Sequence, residues 1–463
     1  MKKVSFCFIS LVWLCKLHSQ NWVNVIDSMP NSHVFLYSGV TDTINNILYI
    51  GGGFEQINNL RTKAIIKYDG VKFDTLGAGL DPQWASFFSP TIIRKTIIFQ
   101  NKLYVGGQFE KAGKYYSPNL ARWNGVDWDT VNFNPNGVVK SMEVYKNELY
   151  VMGDFDTIAG TACHNVAKYN GTNWQSLSFP FSTSMVDIAI FQDTLYATGP
   201  FYQSGFSMLA KYNGTNWIAW RGVTGDANKG VFGLKVIDTM LFVYGRFYSI
   251  AGANCNGLVS FNGKKWFGYG NGVTPTSYAY INDITKIDGE LIVSGNFDFI
   301  DGISTSNGQQ NFGTNIAKFD GHQWCTFIES VGGGVNYTIK YNNDMYIAGA
   351  FLQVGNTPVL PLLKWTGGNT TISCGQTINL GITENFNEQS ISIYPNPVQS
   401  ILTIDDEQNQ LQNSIITIIN TLGETVLVLP FSHQINISSL AQGLYYLTLQ
   451  DGASKKVAKI VKQ

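Results

Sequence analysis

One short phrase returns along this chain at nearly even steps. Leu48-Tyr49-Ile50-Gly51-Gly52-Gly53-Phe54 recurs from Leu103, Leu149, Leu195, Leu241, Leu291 and Met345, giving seven copies. The starts lie 55, 46, 46, 46, 50 and 54 residues apart. Two positions hold in every copy. The glycine is Gly52, Gly107, Gly153, Gly199, Gly245, Gly295 or Gly349, and the aromatic is Phe54, Phe109, Phe155, Phe201, Phe247, Phe297 or Phe351. A second phrase follows each first one: Lys67-Tyr68-Asp69-Gly70, Arg122-Trp123-Asn124-Gly125 and their counterparts, down to Lys364-Trp365-Thr366-Gly367. Three residues past that glycine stands Phe73, Trp128, Trp174, Trp217, Trp266 or Trp324. A fixed period of this length constrains the fold more than any bulk property does.

Each copy reads as a four-stranded antiparallel meander. Val139 to Tyr145 alternates apolar and polar residues, the period of two that a strand requires. Lys146-Asn147, Gln192-Asp193 and Asp288-Gly289 are two-residue turns, and Asn-Gly or Asp-Gly after the third strand is a strong hairpin signal because both residues accept positive φ. The repeated glycine marks a place where another strand approaches too closely for a Cβ. One such sheet cannot bury both of its faces, but similar sheets stacked around a ring can, and the ring also protects their edges. The expected fold is all-β: a seven-bladed β-propeller over residues 20–368, followed by a small β-sandwich. The seventh copy has Thr370 where the late aromatic belongs, and Asn21-Trp22-Val23-Asn24-Val25 resembles the missing piece. Trp22 lies 26 residues before Leu48, within the 21 to 30 seen between the other late aromatics and the phrase that follows. We therefore expect the N-terminal segment to supply the outer strand of the seventh sheet, the alternative being 370–373.

Residues 1–19 read as a signal peptide, with Lys2-Lys3, an apolar run Val4 to Leu14, and a cleavage site after Ser19. Lipidation at Cys15 ranks behind cleavage because Leu14 stands where a small residue belongs. Secretion or display at the outer cell surface is the expected destination, with no transmembrane segment. Lys and Arg total 31 against 32 Asp and Glu, so no field favours nucleic acid. Cys163, Cys255, Cys325 and Cys374 fit no zinc pattern. They read as buried thiols, with Cys325–Cys374 the one pair that export would permit.

The Gly-Gly strand end (Gly51-Gly52, Gly106-Gly107), the aromatic before Asn/Asp-Gly and the Trp after it resemble the kelch and galactose-oxidase central-domain group. That group's copper activity needs a His and Tyr ligand set that these residues do not assemble, so no metal or cofactor is expected. The C-terminal part resembles the type A sorting domain of the type IX secretion system. The matching residues are Tyr394-Pro395-Asn396-Pro397, Ile418 to Gly423, Leu440 to Tyr445 with Gly443, and the basic end Lys455-Lys456 to Lys462 with Lys459 between. The resemblance implies the type IX machinery as partner and export across the outer membrane. Without it, residues 389–463 still alternate like strands with turns at Asn396-Pro397, Leu422-Gly423 and Asp451-Gly452, behind a Thr, Gly and Asn-rich linker over 369–388.

Catalytic groups are sparse. His33, His164 and His322 are the histidines of the repeat region, and Asp154, Asp156, Asp298 and Asp301 read as turn and cap residues. Loops of variable length gather at one face, where binding usually lives. They carry Trp84, Tyr115, Tyr116, His164, Tyr202, Trp220, Tyr248 and Tyr278, the expected ligand-binding candidates, for a glycan or an envelope protein. The expected function is a non-enzymatic binding module. The rivals are a carbohydrate-active hydrolase or lyase working through loop carboxylates, and a passive structural component.

Overall fold

The computed structural model describes residues 22–29, 35–82, 91–129, 133–177, 179, 185–199, 208–220, 223–224, 230–250, 253–273, 279–300, 303–304, 315–327, 330–367, 371–374, 393–404, 414–420, 425–451 and 454–463. These residues form strands and no helix. The chain divides into two compact units, 1–381 and 382–463. The expected signal peptide lies outside the described residues.

In the first unit, each copy of the repeat becomes an antiparallel sheet. Sheet one runs Phe35–Asp42, Ile47–Gly53, Ile65–Tyr68 and Phe73–Thr75, neighbour to neighbour in chain order. Sheets two to seven begin with Ile92–Phe99, Val139–Tyr145, Asp187–Phe191, Gly230–Ile237, Tyr280–Ile287 and Val335–Tyr341. Sheet two has three strands, its late aromatic held by a single bridge between Trp123 and Trp128. The first strand of each sheet touches the first strand of the next, and that of sheet seven touches that of sheet one. The apolar clusters lie between successive sheets. Phe99, Tyr104, Phe133 and Tyr169 bridge sheets two and three, and Leu36, Leu48, Tyr341 and Tyr346 bridge sheets one and seven. The repeated Phe54, Phe109, Phe155, Phe247, Phe297 and Phe351 are all buried, and Phe201 lies outside the described residues.

Local chemistry explains the turns. Paired positive φ values at Gln100-Asn101, Lys146-Asn147, Gln192-Asp193 and Asn342-Asn343 give the two-residue turns after the first strands. The turn before the fourth strand departs from expectation. Only its glycine has positive φ, +95° at Gly70 and +103° at Gly125. The preceding Asp or Asn acts through its side chain: Asn124 Oδ1 accepts from the amides of Val126 and Asp127, both at 2.9 Å, and Asp69 does the same for Val71 and Lys72. Three late tryptophans fasten neighbouring sheets. Trp128 Nε1 donates to Leu76 O at 2.9 Å, Trp217 Nε1 to Leu177 O at 3.0 Å, and Trp324 Nε1 to Tyr269 O at 3.0 Å.

Trp22–Asn24 pairs antiparallel with Leu362–Trp365, with Trp22 opposite Trp365, and so completes sheet seven. The alternative segment goes elsewhere. Thr371–Cys374, expected within the linker, instead forms a fifth strand on sheet six, with Cys374 directly opposite Cys325. Cys325 is disulfide-bonded, against its reading as a thiol, whereas Cys163 and Cys255 are free and buried. The register explains the difference, because facing residues of an antiparallel pair have Cα atoms about 4.5–5.5 Å apart, within disulfide reach.

The second unit contains two antiparallel sheets. Ile401–Ile404 lies between Ile393–Tyr394 and Gln434–Asn436, and the other sheet is ordered Thr425–Pro430, Ile415–Asn420, Gly443–Asp451, Ser454–Lys462. Both contribute to one apolar core, with Leu402, Ile404 and Ile435 from the first sheet and Ile416, Ile418 and Leu447 from the second.

Candidate functional site

The first strands converge on a cavity of about 500 Å³, and a repeated irregularity shapes its rim. In six of the seven sheets the register between first and second strands slips by one residue. Such a bulge places two residues opposite one and re-aims a side chain. The extra residues are Tyr37, Arg94, Lys140, Phe232, Asn282 and Asn336, and all six line the cavity. The repeated glycine permits this. A Cβ on Gly107 would fall well inside contact distance of the Ile92 carbonyl oxygen, two residues ahead of the extra Arg94, and a Cβ on Gly153 would meet the Val138 carbonyl oxygen, two residues ahead of Lys140, in the same way. The close approach expected from the sequence is therefore that of the bulged first strand. Sheet four has no slip, and there Val186, just ahead of the strand, reaches the cavity.

Among the described residues, side chains at and just past the bulges tie every sheet except sheet two to the next. Ser38 Oγ accepts the Thr96 amide at 2.9 Å. Asp187 accepts the Leu234 amide at 2.9 Å, the Ile188 amide at 3.0 Å and the Ser141 hydroxyl. Asp283 accepts the Thr338 amide at 2.9 Å and the Lys235 ammonium at 2.8 Å. Asn336 Nδ2 donates to Leu36 O at 2.9 Å, joining sheet seven to sheet one. Lys95 holds the corresponding position in sheet two, and an ammonium can accept nothing.

The charges divide into committed and uncommitted groups. Lys140 pairs with Asp154 at 2.6 Å and Lys235 with Asp283 at 2.8 Å. Arg94 is exposed, and neither it nor Lys95 has a hydrogen-bonded or ion-paired partner among the described residues. Burial works to depress the Lys95 pKa, but the carboxylates of Asp187, Glu143 and Asp283 outweigh it and hold the ammonium above its ordinary range. Burial pushes the Glu143 carboxyl up, against the pull of Lys95 and Lys235. A second cavity of about 310 Å³ lies between sheets six and seven. Its Lys318 and Asp344 are already paired, with Glu290 and Lys364.

None of the expected binding residues that are described lines this cavity. Tyr115 and Tyr116 form one arm of a short hairpin after the second strand of sheet two, and Tyr116 is 63% exposed. The Tyr115 hydroxyl lies 3.5 Å from Asp127. His164 is exposed, with Nδ1 3.1 Å from Asp156 Oδ1. Tyr248 is half-buried and its carbonyl closes the loop from Cys255. Trp220 does not present a free face. It packs against Tyr196, Phe261 and Trp266 with ring centroids 4.6 to 5.1 Å apart, so it serves the joint between sheets four and five. Trp84, Tyr202, Tyr278 and His33 lie outside the described residues. Sequence reasoning missed Arg94, Lys95 and Lys140 because it looked to loops, whereas these residues sit on strands. The repeated glycine was the signal that could have found them.

In the second unit the sorting residues converge on the last strand. Asn396 Oδ1 accepts the Val461 amide at 2.8 Å, and its Nδ2 donates to Lys459 O at 2.6 Å. Tyr394 is exposed, and both Tyr394-Pro395 and Asn396-Pro397 are cis peptides. The buried Tyr445 donates its hydroxyl to Ala441 O at 2.9 Å, and Gly443 pairs with Lys462 across the hairpin. Gly423 lies outside the described residues.

Residues 392–463 match a family model described as a secretion system C-terminal sorting domain. No curated protein matches the chain. Among solved structures, the chain is similar to the extracellular domain of the one component system BT4673 from B. thetaiotaomicron, at 10% identity and TM-score 0.45, covering 96% of this chain and 58% of that one. It is similar to the extracellular domain of the hybrid two component system BT3049 from the same organism, at 11% identity and TM-score 0.46, covering 96% and 57%. The computationally designed Ika8 protein aligns at 11% identity and TM-score 0.39, covering 73% and 98%. The chain thus spans less than two thirds of the length of the two extracellular domains. The sorting domain implies engagement with the type IX secretion machinery, and it directs the chain to the cell surface or the extracellular space.

Proposed function

We propose that the first unit is a seven-bladed β-propeller that the C-terminal sandwich delivers to the cell exterior, and that it works there as a non-enzymatic binding module. Seven sheets in a closed cycle of contacts, with cores between neighbours and a last sheet completed by Trp22–Asn24, support the propeller. Such a clasp joins the two ends of the repeat region in one sheet and so closes the cycle. One observation carries the binding role: the strands converge on a cavity whose carboxylates Asp187 and Asp283 are engaged in joining sheets, while the cations Arg94 and Lys95 have no hydrogen-bonded or ion-paired partner among the described residues. Functional sites sit where a rigid scaffold holds chemistry open to solvent.

The raised Glu143 carboxyl favours the alternative, a carbohydrate-active hydrolase or lyase, since a general acid needs such a shift. A glycan array probed with the full chain separates the readings. Retention of a glycan that mass spectrometry recovers intact supports binding. Recovery of cleaved glycan overturns the non-enzymatic reading, and a crystal structure with six or eight sheets in the ring overturns the fold.

A further inference from the structure

We infer that the bulge-lined end of the cavity takes a sugar bearing a carboxylate, with Arg94 and Lys95 as its anion-binding pair. The inference rests on the binding-module reading and names the ligand class of that same cavity. Its first support lies in sheet two. At the residue after the bulge, Ser38 and Asp283 each accept an amide of the next sheet, as Asp187 does in sheet four, and Ser141 donates to Asp187. Lys95, at the same position, closes no junction of this kind among the described residues. The neighbouring Asp187 is satisfied by three other donors. Beside Lys95 the bulge aims Arg94 into the cavity, and its planar fork of donors suits a carboxylate better than a point charge does.

The remaining cations do not compete for this role. Lys140, Lys235 and Lys340 are held by Asp154, Asp283 and Asp288. The rim supplies the second half of the recognition. Phe232 lines the cavity, is 37% exposed, and meets Tyr280 edge-on with centroids 5.5 Å apart. Tyr37, another rim residue, stacks on Phe35 with centroids 6.0 Å apart. Aromatic faces beside cations suit a pyranose ring with an acidic substituent, because the weakly polar C–H face packs on the arene while the anion reaches the guanidinium. A cavity of about 500 Å³ falls within the range of small-ligand sites and accommodates one or two sugar residues.

The test is isothermal titration of the full chain with galacturonate and glucuronate, against galactose, glucose and inorganic phosphate. We expect saturable binding of a hexuronate that weakens as salt rises, at least about tenfold preference over the neutral hexose, and a loss of about tenfold in Arg94→Gln. Arg94 is exposed, so that variant keeps the fold, and a circular dichroism melt verifies it. Phe232→Ala should weaken the hexuronate and leave phosphate unaffected. No hexuronate binding, equal binding by the neutral hexoses, or unchanged affinity in Arg94→Gln overturns the inference. Phosphate binding without hexuronate binding overturns its sugar half. A neutral glycan retained on the array by both wild type and Arg94→Gln overturns the inference while leaving the binding module standing.

Discussion

Replacing Trp22 by Phe should be nearly free of cost, although Trp22 is fully buried, whereas the same change at Trp128 should be expensive. Both indoles are late aromatics of the repeat, with 0% and 2% exposure. Trp22 lies against Trp365 and Phe327 with centroids 4.6 and 5.7 Å away. Their Nε1 atoms differ. That of Trp128 donates to Leu76 O at 2.9 Å, and that of Trp22 is buried with no partner among the described residues. Shrinking an indole to a phenyl ring removes about two CH₂ equivalents of buried surface, roughly 2 kcal/mol. At Trp128 the change also strips the Leu76 carbonyl of its donor, adding about 1–3 kcal/mol, for a total near 3–5 kcal/mol. At Trp22 it removes an unsatisfied donor, returning about 1–3 kcal/mol and leaving a net change within about 1 kcal/mol of zero. Equilibrium urea unfolding of the two variants measures the gap, which should be at least about 2 kcal/mol. Equal losses would refute the reasoning, since hydrogen-bond accounting would then play no part at these positions.

Three further outcomes follow from the same geometry. Gly107→Ala drives a Cβ into the Ile92 carbonyl, backbone that cannot swing aside, and should cost about 2–4 kcal/mol. Gly125→Ala, with open space and φ of +103°, should cost only about 1–2 kcal/mol, and thermal melts compare the two. Glu143 holds its proton to higher pH in the folded chain than in the unfolded one, so its contribution to stability declines as pH rises from the ordinary carboxyl range through the folded value. Glu143→Gln should therefore gain stability relative to wild type across that rise, and a relative loss in pH-resolved unfolding would contradict the assignment. Asn396→Ala removes two hydrogen bonds to the last strand and should destabilise the C-terminal unit by about 1–2 kcal/mol. It should also lower the exported fraction, read by immunoblot of cell and medium.

What could be read from the sequence was what repeats. The seven phrases marked out the sheets, and the Trp22 spacing assigned the N-terminal segment to the outer edge of sheet seven, where it pairs with Leu362–Trp365. The glycine reading foresaw a close approach but not its cause, because a bulge adds a residue without marking itself in the alternation. Ile92-Ile93-Arg94-Lys95-Thr96 shows no period of two, since Arg94 is the added residue. The cavity's chemistry was hidden for that reason: residues from seven separate copies meet there, and each differs from its counterparts. Thr371–Cys374 was hidden for another reason. It belongs to no copy of the repeat, and its Thr and Gly-rich surroundings resemble a linker until sheet six offers it an edge.

The two carboxylates nearest the cavity also bear on what chemistry it can perform. A catalytic acid or base must exchange partners during a turnover. Asp187 accepts from three donors that belong to sheets three, four and five, so freeing it would loosen two junctions at once. Asp283 likewise holds Lys235 of sheet five and the Thr338 amide of sheet seven. Groups so engaged set the spacing of the strands. Arg94 and Lys95 have no such duty among the described residues, and the carboxylates around Lys95 hold its ammonium above its ordinary range, suited to hold an anion rather than to pass a proton. On the proposed reading, the same division that keeps the sheets joined leaves Arg94 and Lys95 for recognition of an anion.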